Sequence, residues 1–127
     1  MLIIATICSR KKKDDVALVA AQERYLGLHI NSTRTIAENA KLPFFILSGK
    51  YGLIRGEELI PDYDYLLSDD AVSQLSLTVA DQLRAVGATS IEFYTEGNPN
   101  WKAYERTVEE AAKQAGVRLQ ICSVIST

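Results

Sequence analysis

LIIATI, Leu2 to Ile7, is six residues without a charge, three of them isoleucine. A run this short and this apolar suits a strand buried on both faces of a parallel sheet. It stops in the polar cluster CSRKKKDD. FFILS, Phe44 to Ser48, repeats the pattern after Pro43 and is bounded by SGKYG, while IEFYTE from Ile91 and RLQICSVI from Arg118 supply a third and a closing strand.

Helical patterns lie between these runs. From Val16 to Ala40, VALVAAQERYLGLHI and TRTIAENA both lean helical, with Gly27 and Asn31 to Thr33 as interruptions. The expectation is a loop or short helix, then a helix ending near Lys41, before Pro43. SDDAVSQLSLTVADQLRAVG is a clear helix, with Ser68 as N-cap and acids in the first turn. Its stripe is Val72, Leu75, Val79, Leu83 and Val86, and Gly87 ends it. NPNW opens the last helix, with Asn98 as N-cap and Pro99 first; Trp101, Tyr104, Val108, Ala111 and Ala115 form its buried side, as far as Gly116.

Strands alternating with helices imply right-handed crossovers. The fold class is therefore α/β: a single domain over residues 1–127, with a central mostly parallel sheet of about four strands and helices on both faces. With 127 residues the chain can bury a core without disulfides or metals. Hydrophobic content of 47% and charged content of 24% are those of an ordinary globular protein. A net charge of −2 and a pI near 5.4 exclude a global cationic field for nucleic acid. Cys8 and Cys122 are no disulfide framework, and reduced thiols in a cytoplasmic protein are the expectation. No apolar run reaches membrane-spanning length, and MLIIATICSR carries its charge after the apolar segment, the reverse of a secretory signal.

In sheets of this class ligands bind outside the carboxyl ends of the strands, where loops and helix N-termini converge. Three loops are expected on that rim: CSRKKK, SGKYGLI and TEGNPNW. The stretch from Gly49 to Leu67 shows little periodicity, and so long a connection is uncommon in a compact domain unless it is functional. SGKYG is not a phosphate loop, because neither G-x-x-x-x-G-K-[ST] nor G-x-G-x-x-G is present. Gly49 and Gly52 nonetheless permit positive φ, so successive amides can form an anion nest beside Lys50, or simply a tight turn.

Cys8, Ser9 and Lys12 make a second cluster. A thiol near several ammonium groups has its pKa lowered and becomes a nucleophile, and a partly desolvated lysine attacks electrophilic carbon; a buried cysteine beside a solvated lysine run is the other reading. Asp62 and Asp64 flank Tyr63, as general base, hydroxyl clamp or ion-pair partners. Tyr25, Tyr51, Tyr63, Tyr65 and Tyr94 offer faces for a flat ring. Glu96 and Gly97 add a rim carboxylate and a turn. His29, the one histidine, makes no standard zinc site with two distant cysteines, so neither a metal nor a cofactor is expected.

LSGKYGLIRGEELIPDYDYLL resembles a segment of YaaA-type peroxide stress proteins with the general form L-S-G-x-Y-G followed by an arginine and a downstream P-Y. ICSRKKK and QERYLGLHI resemble a compact, largely uncharacterised bacterial and phage domain family that pairs C-S-x-x-K with E-x-Y-x-G and carries S-x-K-Y-G-L and Y-D downstream. More distantly, Cys8 and Lys12 are similar to the cysteine and lysine of the archaeosine synthase motif P-C-x-x-x-K-P-Y, whose lysine attacks the nitrile of a deazaguanine base. Here Ile7 precedes the cysteine, and Lys13 and Asp14 follow the lysine.

The resemblance implies a small cytoplasmic enzyme or enzyme-like binder for a nucleobase, nucleoside or nucleotide. Lys12 is its nucleophile or anion contact, with Cys8 and Asp64 beside it. Ser9, Tyr25, Ser48, Gly49, Lys50, Tyr51, Gly52, Tyr63, Glu96 and Gly97 line the ligand. The alternatives are a YaaA-like nucleic-acid-binding stress protein, using Arg10 to Lys13, Lys50 and Arg55 as a phosphate track, and an interaction module without a site. Salt separates the nucleic-acid reading from the small-molecule pocket, since it weakens phosphate-track binding steeply.

Overall fold

The computed structural model describes residues 1–9, 12, 17–63, 65–96 and 99–123, with the backbone alone at position 100. In chain order the first elements are β1 (Leu2–Ile7), β2 (Leu18–Ala20), α1 (Ala21–Arg24), α2 (Leu28–Ala40), β3 (Phe44–Ser48), β4 (Gly52–Arg55) and β5 (Leu59–Pro61). They are followed by α3 (Val72–Val86), β6 (Ser90–Thr95), α4 (Lys102–Ala115) and β7 (Arg118–Ser123). Single 3₁₀ turns, Asp69–Ala71 and Pro99–Trp101, lead into α3 and α4.

β1 is the middle strand of a five-stranded sheet with order β4-β3-β1-β6-β7. It pairs in parallel with β3 and β6, β7 continues in parallel from β6, and β4 folds back antiparallel onto β3. The chain thus leaves β1 through α2 to β3 and returns past β1 through α3 to β6. This reversal is the place where doubly wound sheets open a crevice at the carboxyl ends of their strands.

Alternation along β1 explains its two-sided burial. Ile3, Ala5 and Ile7 point into a large core with Val72, Leu75, Val79, Leu83, Phe93, Val108 and Ala111, which are the inward stripes of α3 and α4. Ile4 points the other way, into a smaller cluster with Ile30 and Ala37 of α2, Tyr25, Ile46 and Ile60. Each fully buried branched side chain contributes about 1.5–3 kcal/mol relative to exposure. The sheet is therefore clamped between helices on both faces, as the alternation of elements implies.

Several boundaries differ from expectation. The main sheet has five strands rather than about four, because GLIR returns as β4. LIP forms β5, which pairs antiparallel with β2 in a separate two-stranded ribbon, so the stretch from Gly49 to Leu67 is more regular than its sequence. Asn31 to Thr33 do not interrupt α2. Ser32 and Thr35 turn their hydroxyls back onto the Leu28 and Asn31 carbonyls at 3.2 and 2.9 Å, which lets a polar segment stay helical. Ser68 starts a 3₁₀ turn without a side-chain capping bond, and α3 proper begins at Val72. Asn98 lies outside the described residues. Among the described residues no helix is long and apolar enough to cross a membrane.

Candidate functional site

The crevice beside β1 is filled by the protein's own rings. His29, at the start of α2, donates from Nε2 to the Ile7 carbonyl at 2.6 Å, and its ring lies 4.8 Å from that of Trp101, at the start of α4. Burial holds the imidazole below its ordinary pKa, while the Ile7 carbonyl and Glu96 pull in the opposite direction. A neutral, buried histidine bonded to backbone pins the two helix starts together and is no catalytic base. Glu96 belongs to this pin, and it is exposed at the end of β6.

The bend after β3 is built on Ser48, which is fully buried. Its Oγ accepts the Lys50 and Tyr51 N–H groups at 3.1 and 3.2 Å. The expected anion nest is therefore absent at these two amides: the serine hydroxyl takes the donors that a ligand would need. The two glycines serve different ends. Gly52 has φ 75°, which favours glycine, whereas Gly49 has no positive φ. Gly49 is needed for close approach, since a Cβ there would stand 3.0 Å from the Leu67 Cβ and 3.2 Å from the Tyr104 hydroxyl.

Tyr63 is the hub. Its hydroxyl bonds to Ser48 Oγ at 2.7 Å and also to the hydroxyl of Tyr25, which is 2% exposed. Tyr51 meets its ring edge-on with centroids 5.1 Å apart, and Tyr25 does so at 6.4 Å. Lys12 Nζ lies 5.0 Å and Lys50 Nζ 5.7 Å from the Tyr63 centroid, both within cation–π range. Lys50 Nζ is also 5.4 Å from the Tyr51 ring. Neither lysine joins an ion pair among the described residues. Desolvation pushes the Tyr63 phenol up to about 12 and raises that of Tyr25 further, so both are neutral donors at physiological pH.

Cys8 follows the second of its two sequence readings, the buried cysteine. The Gly49 N–H, the Tyr104 hydroxyl and the Lys12 charge all favour its thiolate, but desolvation outweighs them and raises the pKa above that of an ordinary thiol. The group is a thiol that ties β1 to the Gly49 bend and to α4, with its own N–H bonded to the Leu47 carbonyl at 3.0 Å. Tyr104 in turn receives the Leu67 N–H, and its phenol is raised by burial. Ser9 plays a similar joining part, accepting the Gly27 N–H at 3.2 Å in front of α2.

Two supports could not be singled out by type or spacing. Arg24 has 0% exposure and donates from Nη2 to the Ala17 and Ile60 carbonyls at 3.2 and 3.1 Å, stapling the β2–β5 ribbon from beneath. That ribbon leads directly into Tyr63 on one strand. On the other side Lys12 and Tyr25 form an isolated antiparallel bridge. Gln82 of α3 accepts the Leu53 N–H at 2.7 Å and donates to the Tyr51 and Leu53 carbonyls at 3.1 and 3.2 Å. Its amide thus completes the outer edge of β4 and holds the Gly52 turn. In sequence both residues look like ordinary polar positions; for Tyr104, the one signal was that a buried phenol needs a partner.

Of the expected site residues, Lys12, Tyr25, Ser48, Lys50, Tyr51 and Tyr63 meet at one corner. Cys8, Ser9, Gly49 and Gly52 form the framework next to it. Glu96 sits with His29, Tyr65 is exposed, and Tyr94 lies on β6 with its hydroxyl 3.1 Å from Glu92. Asp64 and Gly97 lie outside the described residues.

A family model described as a family of unknown function (DUF6884) matches residues 3–122. No curated protein and no solved structure matches the chain.

Proposed function

The chain belongs to this family of unknown function (DUF6884), and from the chemistry of its rim we propose that it is a small enzyme, or enzyme-like binder, acting on a nucleobase, nucleoside or nucleotide. The observation that carries this reading is the pair of ammonium groups, Lys12 and Lys50, each held over the Tyr63 ring and neither paired with a carboxylate among the described residues. Cations held against one ring without a carboxylate partner among the described residues are favourable places for a ligand that supplies negative charge. Tyr51 and Tyr63 add aromatic surface at the same corner, which suits a planar ring.

Lys12 has two roles open to it. As an ammonium it contacts an anion, and as an amine it attacks an electrophilic carbon of the base. Cys8 supports the framework and does not compete as a nucleophile, because its burial favours the thiol. The resemblance to the archaeosine synthase motif rests on these same two positions.

A thermal-shift screen of nucleobases, nucleosides and nucleotides tests the proposal. A compound that binds only the native state must raise the midpoint. Wild-type protein is expected to respond and Lys12→Ala to lose the response. If no compound moves the wild type, the reading falls.

The nucleic-acid alternative is less favoured by the geometry. Arg55 lies over the Phe45 ring at 5.1 Å, and the register pairs it with Phe45 while Gly52 pairs with Ser48 at the rim. Arg55 and Lys50 therefore occupy opposite ends of the β3–β4 hairpin rather than one track. Arg10, Lys11 and Lys13 lie outside the described residues.

A further inference from the structure

Resting on that reading, we propose that the Lys12–Lys50–Tyr63 corner takes a phosphomonoester dianion, so that the ligand is a nucleoside monophosphate rather than a free base or nucleoside. The inference follows from counting hydrogen-bond donors and acceptors. Ser48 Oγ already accepts two backbone N–H groups, from Lys50 and Tyr51. Its lone pairs are filled, so its proton goes to the Tyr63 oxygen 2.7 Å away.

Tyr63 and Tyr25 then hold two phenolic protons and share one hydrogen bond. The other proton has no acceptor among the described residues. Tyr25 is buried and Tyr63 half-exposed, so the consistent arrangement has Tyr25 donating to Tyr63. The Tyr63 oxygen then receives bonds from Ser48 and Tyr25, its two lone pairs are occupied, and its own proton faces the open side.

Among the described residues the charged groups at the corner are donors, two ammonium groups joined by the Tyr63 phenol, with the Tyr51 hydroxyl able to act either way. A base edge mixes donors and acceptors, and a sugar hydroxyl presents both. Neither matches a corner whose charged groups are both cationic donors. A phosphomonoester at neutral pH carries close to two negative charges and only acceptor oxygens around its rim, which matches two cations and an O–H. A phosphodiester, with one negative charge, satisfies half of the arrangement.

Titration calorimetry and thermal shift on the whole chain, at fixed low ionic strength, test this. The probes are the four ribonucleosides, their 5′-monophosphates, 3′,5′-cyclic monophosphates, ribose 5-phosphate and inorganic phosphate. At ten times its Kd a monophosphate should raise the midpoint by about 5 °C. The matching nucleoside should bind at least about 30-fold more weakly, and the cyclic diester about 10-fold more weakly.

Tyr63→Phe keeps the ring that both ammonium groups contact and removes the donor, together with the acceptor of the Ser48 and Tyr25 bonds. It should weaken monophosphates about 5- to 10-fold and leave nucleosides unchanged. Lys50→Gln, on an exposed side chain that does not endanger folding, should weaken monophosphates about 10-fold. Equal affinity for nucleosides and monophosphates overturns the inference and leaves the nucleobase reading intact. Ribose 5-phosphate and inorganic phosphate matching the nucleotides keeps the phosphate corner and overturns the nucleobase reading. Absence of binding by every probe overturns both.

Discussion

The two faces of the central sheet are made of different material. Toward α3 and α4 the packing is mainly apolar, from Ile3, Ala5 and Ile7 through Leu83 and Val108, and its buried Ser76 and Thr107 hydroxyls turn back onto the Val72 and Ala103 carbonyls of their own helices. Toward α2 and the β2–β5 ribbon, the apolar cluster around Ile4 is smaller and is mixed with buried Arg24, His29, Thr33 and Ser48. Apolar burial is non-directional and tolerant, whereas a buried polar group needs a partner in one defined place. The first face supplies most of the stability, and the second spends some of it to hold side chains in register. The candidate corner stands on the second face.

Breaking the apolar face should show the largest effect. Leu83→Ala is expected to cost about 2–5 kcal/mol in denaturant unfolding while leaving ligand dissociation constants unchanged. Arg24→Ala comes next, at about 2–3 kcal/mol, since the Ala17 and Ile60 carbonyls lose their donor. Unlike Leu83→Ala it should also weaken ligand binding, because the ribbon that aims Tyr63 is loosened. If both variants change affinity equally, the two faces do not divide the work.

Gln82→Ala should cost about 1–2 kcal/mol and speed hydrogen exchange at the Leu53 amide, which loses its acceptor. The tyrosines give a pH signature. A phenol raised by burial to about 12, as in Tyr63, resists ionising in the folded state, so its stability contribution is complete below pH 10 and is lost as pH rises from there through 12. Tyr63→Phe should therefore shift the onset of alkaline unfolding upward, followed by tyrosinate absorbance. The smallest effect on stability is expected from Lys12→Ala, within about 0.5 kcal/mol, together with the loss of ligand response. Large destabilisation there would mean that the ammonium is structural.

The apolar face was the readable one. LIIATI, FFILS and the α3 stripe announce themselves because burial against helices leaves a periodic trace in the chain. The polar face was not readable in the same way. Arg24 has the same letters around it as a solvated helix arginine, and only the arrival of Ile60 makes it a staple. β5 could not be anticipated either, since its partner β2 lies some 40 residues earlier and a three-residue strand carries no period of its own. For Cys8 the sequence left two readings, activated thiolate and buried thiol, because neighbouring charge is visible in sequence while desolvation is not, and burial decides for the thiol. The Ser48 bend was anticipated as a place, with an anion nest and a tight turn both open to it, and its Lys50 and Tyr51 amides serve the serine.

The Gln82 amide has a further meaning for how the molecule meets its neighbours. It sits along the outer rail of β4 as if it were a strand one residue long, using up the N–H and carbonyl groups that an incoming extended segment would seek. A foreign peptide joining there would have to evict it, so that side of the sheet is closed to lateral growth and to the runaway stacking that exposed strand margins invite.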